Sequence, residues 1–121
     1  MSAAGERFSL SGRVAIVTGG SRGIGRALSR GLAEAGACVV VASRSLDACS
    51  EVAAEIERDG GRALALAADV GAAPDRERLI AATLERFGRL DVLVNNAGLL
   101  RPHHTAKLAE PELDELIRVN L

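Results

Sequence analysis

The sequence predicts an α/β fold in which a parallel β-sheet is doubly wound, with helices covering both faces. Short apolar runs alternate with segments of helical periodicity along the 121 residues, which is the pattern of consecutive βα units. The first run, residues 14–17, is apolar throughout, as expected for a strand buried on both faces. Right-handed crossovers and a Rossmann-type arrangement then give the strand order 3-2-1-4.

Each element follows from local signals. The predicted elements are, in order, a strand at 13–18, a helix at 23–35, a strand at 38–42, a helix at 46–58, a strand at 63–67, a helix at 74–87, a strand at 91–94 and a helix that begins near 111. Gly36, Gly60 and Gly88 are placed where helices end, and Pro74 suits a first helical position. We interpret residues 1–121 as one incomplete domain, truncated inside its last helix.

The same pattern predicts which side chains are buried. The apolar face of each helix is formed by Ile24, Leu28 and Leu32 in the first, by Val52 and Ile56 in the second, and by Leu79, Ile80, Leu84 and Phe87 in the third. Cys38 opens the second strand, and Cys49 lies on the helix that returns from it, so the two lie toward opposite ends of the sheet. A disulfide is therefore disfavoured, and we expect two buried thiols in a reducing, cytoplasmic compartment.

Composition and charge exclude some classes of partner. The formal net charge is −1 and aromatic residues make up 2% of the chain. There is thus neither a basic surface nor a set of aromatic stacking platforms for nucleic acid, and no electrostatic attraction to an anionic membrane. No apolar run approaches the length of a membrane span, and residues 1–10 lack the apolar core of a secretion signal.

The chain is organised around a Gly-rich turn with the sequence Thr-Gly-Gly-Ser-Arg-Gly-Ile-Gly at residues 18–25. A strand precedes the turn and a helix follows it, which is the setting in which backbone N–H groups at a helix N-terminus hold a phosphate. The spacing is G-x-x-x-G-x-G, and no Gly-Lys-Ser/Thr follows, so a P-loop is disfavoured. The alternative is a turn that only connects strand to helix.

Polar or small residues follow every predicted strand. The four strand ends are Thr18-Gly19, Ser43-Arg44, Asp69-Val70 and Asn95-Asn96-Ala97-Gly98. In a doubly wound sheet the carboxyl ends of the strands meet at one edge, where ligands bind. Asp69 is positioned to accept a hydrogen bond from an adenine amino group, with an Asx-turn or a helix cap as the alternative. The sequence therefore predicts a nucleotide that lies across this edge.

The end of the second strand predicts the form of the nucleotide. An acid at this point would bind a ribose 2′-hydroxyl and repel a 2′-phosphate, but the chain has Ser43 and Arg44 and no acid before Asp47. Arg22 in the Gly-rich turn can reach the same region, and guanidinium groups bind phosphate oxygens in a bidentate fork. We expect NADP(H) to be preferred, with NAD(H) possible; the alternative for Arg44 is a solvated turn residue.

Four motifs together resemble the N-terminal, cofactor-binding half of the short-chain dehydrogenase/reductase family. They are the TGxxxGxG turn, the Asp-Val after the third strand, the Asn-Asn-Ala-Gly after the fourth strand and a Val-Asn-Leu at 119–121. The resemblance covers residues 10–121. It implies that the cofactor is bound by Gly19, Ser21, Arg22, Gly23, Ile24, Gly25, Ser43, Arg44, Asp69, Val70, Asn96, Ala97, Gly98 and Val119, and that Asn120 is the catalytic Asn, which helps to hold a water in a proton relay.

The resemblance also implies the reaction, which is hydride transfer between nicotinamide and a carbonyl or alcohol substrate. In the family a Tyr is the acid/base, a Lys four residues later lowers its pKa, and a Ser orients the substrate oxygen. This chain contains no Tyr, its one Lys is Lys107, and no Ser follows Ser50. We therefore expect an N-terminal fragment of such an enzyme that is inactive alone and marginally stable.

Other interpretations remain open at this point. A half-domain that binds a nucleotide without chemistry, and an inactive truncated product, are the alternatives to an enzyme fragment. His103 and His104 are adjacent and lack a partner cluster in the sequence, so no metal site is expected. The resemblance implies a small-molecule substrate and, for a whole enzyme, a homo-oligomer with two or four subunits.

Overall fold

The computed structural model describes residues 9–96. Its elements are β1 (Val14–Thr18), α1 (Gly23–Glu34), β2 (Cys38–Ser43), α2 (Leu46–Arg58), β3 (Arg62–Ala67), α3 (Ala73–Phe87) and β4 (Val92–Asn95). Each predicted boundary in this range lies within one residue of the observed one. The helix predicted to begin near residue 111 lies outside the described residues.

The four described strands form one parallel sheet in the order β3-β2-β1-β4. This order confirms the Rossmann-type topology predicted from the sequence. Thr18, the last residue of β1, is level with Ala42 on one side and Asn95 on the other, and Ser43 is level with Ala67. The carboxyl ends of all four strands therefore meet at one edge of the sheet.

The sheet separates two apolar cores. Because neighbouring residues of a strand point to opposite faces, Val17 and Val41 pack with Cys49 and Ile56 against α2. On the other face, Ile16, Val40 and Ala42 pack with Leu79 of α3. Every residue of β1 is buried, which explains why its sequence is apolar without alternation. Helices cover both faces, as predicted for a doubly wound sheet.

The face of α1 that packs on the sheet differs from the predicted one. Ile24 and Leu28 are exposed, at 66% and 38% of their surface, and Leu32 is only partly buried. The fully packed side of α1 carries Gly25 and Ser29 instead. The sequence-based prediction is therefore wrong for Ile24 and Leu28, because small residues are what allow a helix to approach the Gly-rich turn closely.

A similar correction applies to α3 and to one cysteine. Leu84 was predicted to be buried but is 45% exposed, while Thr83 is fully buried and donates from Oγ1 to the carbonyl of Leu79 at 2.8 Å. That internal hydrogen bond removes the cost of burying the Thr hydroxyl. Both cysteines are free thiols, but only Cys49 is fully buried, whereas Cys38 at the edge of β2 is half-buried.

The Asp91 carboxylate connects the start of β4 to the start of β1, at the end of the strands opposite the Gly-rich turn. Asp91 Oδ2 accepts from the backbone N of Val14 at 2.9 Å and from Arg89 Nε at 2.7 Å, and Asp91 Oδ1 lies 3.9 Å from Arg13 Nη1. Burial raises the pKa of Asp91, but these hydrogen bonds and the arginine charges outweigh it and hold the pKa below its usual value. The pair β1–β4 therefore has a charged connection that fixes its register.

The helices α1 and α2 are joined by ion pairs on their outer side. Arg26 Nε donates to Glu55 Oε1 at 3.0 Å, with a second contact between Arg26 Nη2 and Glu55 Oε2. This bidentate pair lowers the pKa of Glu55 and raises that of Arg26 through the hydrogen bond and the charges. Arg30 and Asp59 form a second, exposed pair at 3.4 Å.

Among residues 9–96, no helix is long and apolar enough to cross a membrane.

Candidate functional site

The glycines of the Gly-rich turn have separate structural roles. Gly19 and Gly23 have positive φ values of 65° and 53°, which favour glycine over any other residue. A Cβ atom added to Gly25 would lie 1.9 Å from the carbonyl oxygen of Gly19, whereas one added to Gly23 would meet nothing within 4 Å. Gly19 therefore allows the turn, Gly25 allows close packing, and the backbone at Gly23 faces open space.

The N-terminus of α1 has donors without an acceptor from a nearby side chain. Its N-cap residue, Arg22, makes no side-chain capping hydrogen bond, and the first turn of α1 has no acidic residue. In contrast, Ser45 caps α2 by accepting from Ala48 N at 3.3 Å, and α3 has Asp75 in its first turn. Of the described helices, α1 alone leaves its partly positive end open to an anion.

A network of polar groups connects the Gly-rich turn to the end of β4. Thr18 Oγ1 accepts from the backbone N of Asn96 at 3.1 Å and lies within donating distance of the Val94 carbonyl and of Asn95 Oδ1. Asn96 Nδ2 donates to the carbonyl of Gly19 at 3.2 Å. Asn96, which the sequence placed in the site, is thus held against the turn. The sequence-based prediction did not include Thr18 among the site residues. A hydroxyl at the end of an apolar, buried strand is the feature that could have indicated this network.

The end of β2 also meets the Gly-rich turn. Ser21 Oγ donates to Ser43 Oγ at 3.2 Å. Arg22 and Arg44 are both exposed next to this contact in the chain. Within residues 9–96, neither guanidinium has a hydrogen-bond or salt-bridge partner in this structure. Each arginine therefore follows one of the two hydrogen-bonded serines in the chain and is exposed, without a hydrogen-bond or ion-pair partner among residues 9–96.

The turn after β3 contains the Asx-turn that the sequence left as the alternative to adenine binding for Asp69. Asp69 Oδ1 accepts from the backbone N of Gly71 at 2.9 Å, and the backbone N of Asp69 donates to Asp75 Oδ2 at 2.7 Å. That backbone hydrogen bond lowers the pKa of Asp75. Arg76 Nη1 donates to the carbonyl of Val70 at 2.9 Å. Asp69 is exposed, so the Asx-turn leaves its second carboxylate oxygen available to another donor.

The structure brings most of the predicted site residues to one edge of the sheet. They lie at the carboxyl ends of the strands, just after those ends or in the first turn of α1, and they are Gly19, Ser21, Arg22, Gly23, Ile24, Gly25, Ser43, Arg44, Asp69, Val70 and Asn96. The remaining predictions, Ala97, Gly98, Val119 and Asn120, lie outside the described residues, as do Lys107 and the two histidines. No group of three or more His, Cys, Asp or Glu residues within 9–96 could hold a metal ion.

This combination of parallel sheet, Gly-rich turn and polar strand ends identifies the class of protein. The family model described as short chain dehydrogenase matches residues 13–121. The chain belongs to this family, as its sequence motifs indicated. Proteins homologous to it are oxidoreductases, and the family binds a nicotinamide cofactor.

Individual relatives agree with this assignment. The chain is 43% identical over 113 residues to a 3-oxoacyl-[acyl-carrier-protein] reductase from Synechocystis sp., covering 93% of the chain and 46% of that protein. It is 47% identical to the protein in the Pseudomonas aeruginosa RhlG/NADP active-site complex, with a TM-score of 0.69 and coverage of 75% and 36%. A hydroxysteroid dehydrogenase from Escherichia coli aligns with 30% identity and a TM-score of 0.77, covering 91% and 56%. The chain spans less than half the length of the curated relatives that it matches.

Proposed function

We propose that this protein is an NADP(H)-preferring short-chain dehydrogenase/reductase that transfers hydride between nicotinamide and a carbonyl or alcohol substrate. In this proposal, residues 1–121 supply the part that binds the cofactor. The observation that carries it is the N-terminus of α1, which has no capping side chain or acid and lies at the edge where the strand ends meet. The substrate is a small molecule, and we propose a cytoplasmic enzyme with two or four subunits.

The residues at the turn fit a dinucleotide pyrophosphate. A Cβ atom added at Gly23, the first residue of α1, would meet nothing within 4 Å, and an anion at this end of the helix would be stabilised by the helix dipole. Gly25 keeps the helix close to Gly19, which brings those N–H groups to the strand edge. In the proposal, the pyrophosphate and its adjoining ribose contact the turn through Gly19, Ser21, Arg22, Gly23, Ile24 and Gly25.

The end of β2 accounts for the proposed preference for NADP(H). Ser43, Arg44 and Arg22 would bind the 2′-phosphate, because both guanidinium groups are exposed and lack partners within the described residues. Asp69 and Val70 would hold the adenine ring. The likeness to the RhlG/NADP complex at 47% identity supports this choice of cofactor.

The nicotinamide would lie toward Asn96, Ala97, Gly98 and Val119, with Asn120 holding a water for proton transfer. When bound, the cofactor supplies or accepts the hydride. An alkoxide that develops on the substrate also needs a positioned proton donor, and the sequence contains no Tyr to provide it. We therefore propose that the 121-residue chain alone does not transfer hydride. The alternative is a half-domain that binds nucleotide without chemistry.

The test of cofactor preference is Arg44→Asp in the natural protein that contains this sequence. The change replaces a phosphate-binding cation with an anion, so the ratio of catalytic efficiencies with NADPH and NADH should fall by about 10- to 100-fold, the range expected for losing a charged hydrogen bond. Arg58→Asp is the matched control, since Arg58 is exposed at the far end of α2. An unchanged ratio in Arg44→Asp would contradict the role given to Arg44.

A further inference from the structure

A short chain of hydrogen bonds runs beneath the end of β2. Ser21 Oγ donates to Ser43 Oγ at 3.2 Å, and Ser43 Oγ lies 3.0 Å from Cys49 Sγ on α2. Cys49 is completely buried, with 0% of its surface exposed. The thiol therefore lies behind the two hydroxyl groups, on the side away from solvent.

The hydroxyl of Ser43 has more partners than it can satisfy in one orientation. It accepts from Ser21 Oγ and from the backbone N of Ser45 at 3.2 Å, which uses both of its lone pairs. Its one proton is then shared between the Ser45 carbonyl at 3.3 Å and Cys49 Sγ. Ser43 cannot donate to a further acceptor unless one of these contacts changes.

A phosphate oxygen only accepts hydrogen bonds, so both serines must turn their protons toward it. When Ser21 donates to an anion instead of to Ser43, a lone pair on Ser43 is left without a donor. Cys49 can fill that place, because a thiol both accepts and donates. Of the partners of Ser43, the backbone N of Ser45 can only donate and the Ser45 carbonyl can only accept, so this reversal requires a hydroxyl or a thiol.

We propose that Cys49 is a positioning residue for cofactor selectivity: its thiol orients the Ser43 hydroxyl so that Ser43 donates to the phosphate monoester of NADP(H). The inference rests on the proposed function and extends it to a residue that does not itself touch the ligand. It assigns to Cys49 a role that Cys38, half-buried at the other end of β2, does not share.

The experiment measures dissociation constants of NADPH and NADH for the natural protein and three variants. Cys49→Val keeps an apolar side chain of similar size but removes the hydrogen bond, Cys49→Ala removes it without adding bulk, and Cys49→Ser keeps a donor and acceptor. In Cys49→Val and Cys49→Ala, the preference for NADPH should fall by about 3- to 10-fold, as expected for one neutral hydrogen bond. Cys49→Ser should retain most of the preference.

The ratio of the two constants separates selectivity from folding, because a general loss of structure weakens both ligands together. Cys38→Ala is the control and should keep the original ratio, since Cys38 lies about 16 Å from Ser43 along the strand. An unchanged ratio in Cys49→Val and Cys49→Ala, or an equal loss in Cys49→Ser, would overturn the proposal. If the unaltered protein binds neither cofactor, or binds NADH as well as NADPH, the proposed function itself fails, and the role of Cys49 fails with it.

Discussion

At the scale of single residues, the Gly-rich turn separates two reasons for having glycine. Gly19 and Gly23 require glycine because of their backbone conformation, while Gly25 requires it because no space remains for a side chain. The clash at Gly25 would be with the backbone of Gly19, which cannot rotate away as a flexible side chain could. The close approach of the N-terminus of α1 to the Gly-rich turn therefore requires that residue 25 has no Cβ atom.

Replacement of Gly25 by alanine should move α1 away from the strand edge. We expect Gly25→Ala to lower the free energy of unfolding by about 1–3 kcal/mol, as overpacking does. NADPH binding should weaken, because the N-terminus of α1 would no longer lie close to the strand edge. Chemical denaturation and calorimetric titration would measure the two effects.

Gly31 provides the control for this change. It lies in the middle of α1 on an exposed side, and an added Cβ would meet nothing within 4 Å. Gly31→Ala should therefore raise the stability by about 0.5–1 kcal/mol, because alanine loses less backbone entropy in a helix. If Gly25→Ala bound NADPH as tightly as Gly31→Ala, the close packing at Gly25 would have no part in the site.

The sequence predicted which residues lie at the ends of the strands better than it predicted which side chains of the helices are buried. Ser43 and Asn96 could be predicted because they follow apolar strands, whose ends must meet at one edge. Helical periodicity placed Ile24 and Leu28 on one apolar face of α1. Periodicity alone does not say what that face contacts, so the exposure of both side chains could not be predicted. The exposed position of Ile24 lies beside the open helix terminus. Cys49 was predicted to be buried, but its contact with Ser43 depends on how α2 packs, which no local pattern encodes.

At the scale of elements, the loops of the candidate site are held in place by hydrogen bonds from neighbouring helices and strands. Asp75 and Arg76 in the first turn of α3 hold the turn after β3, and the Thr18 network holds Asn96 at the end of β4. These contacts join residues that are distant in sequence or belong to different elements. The sequence predicted the bounds of the elements within residues 9–96 to within one residue, but it could not predict these connections, because side-chain partners follow from the three-dimensional arrangement.

The connection between β1 and β4 makes a prediction about pH. Since the pKa of Asp91 is lower in the folded protein than in the unfolded chain, its contribution to stability is present above the unfolded value of about 3.9 and is lost as the pH falls through the folded value. Asp91→Asn should reduce the stability at pH 7 by about 1–3 kcal/mol, because hydrogen bonds to a charged group are lost. It should also make the acid-induced loss of stability shallower.

Urea denaturation at pH 7 and at pH 3 would check this result. Asp59→Asn is the control, because Asp59 is exposed and, among residues 9–96, its ion pair is the one with Arg30 at 3.4 Å across the outer surface of α1 and α2. It should change the stability little at either pH. Identical pH dependence in Asp91→Asn and in the unaltered protein would show that Asp91 does not fasten β4 in the way that its contacts indicate.

At the scale of the whole molecule, the strand order brings the candidate site residues to one edge of the sheet. The order β3-β2-β1-β4 places the Gly-rich turn after β1 between the ends of β2 and β4. The sequence could predict this order because right-handed crossovers leave few arrangements for repeated βα units. The sequence could not identify the substrate, because the motifs within residues 9–96 concern the cofactor and none of them is specific to one class of substrate.

The most direct test of a cofactor site at this edge is an NMR titration of the isotope-labelled natural protein with NADPH and NADH. With both cofactors, the amide signals of Gly23, Ile24 and Gly25 should shift, because the N-terminus of α1 would bind the pyrophosphate. Signals of Ser43 and Arg44 should shift strongly with NADPH only. An absence of shifts at α1, or shifts confined to the opposite end of the strands near Asp91, would contradict the account.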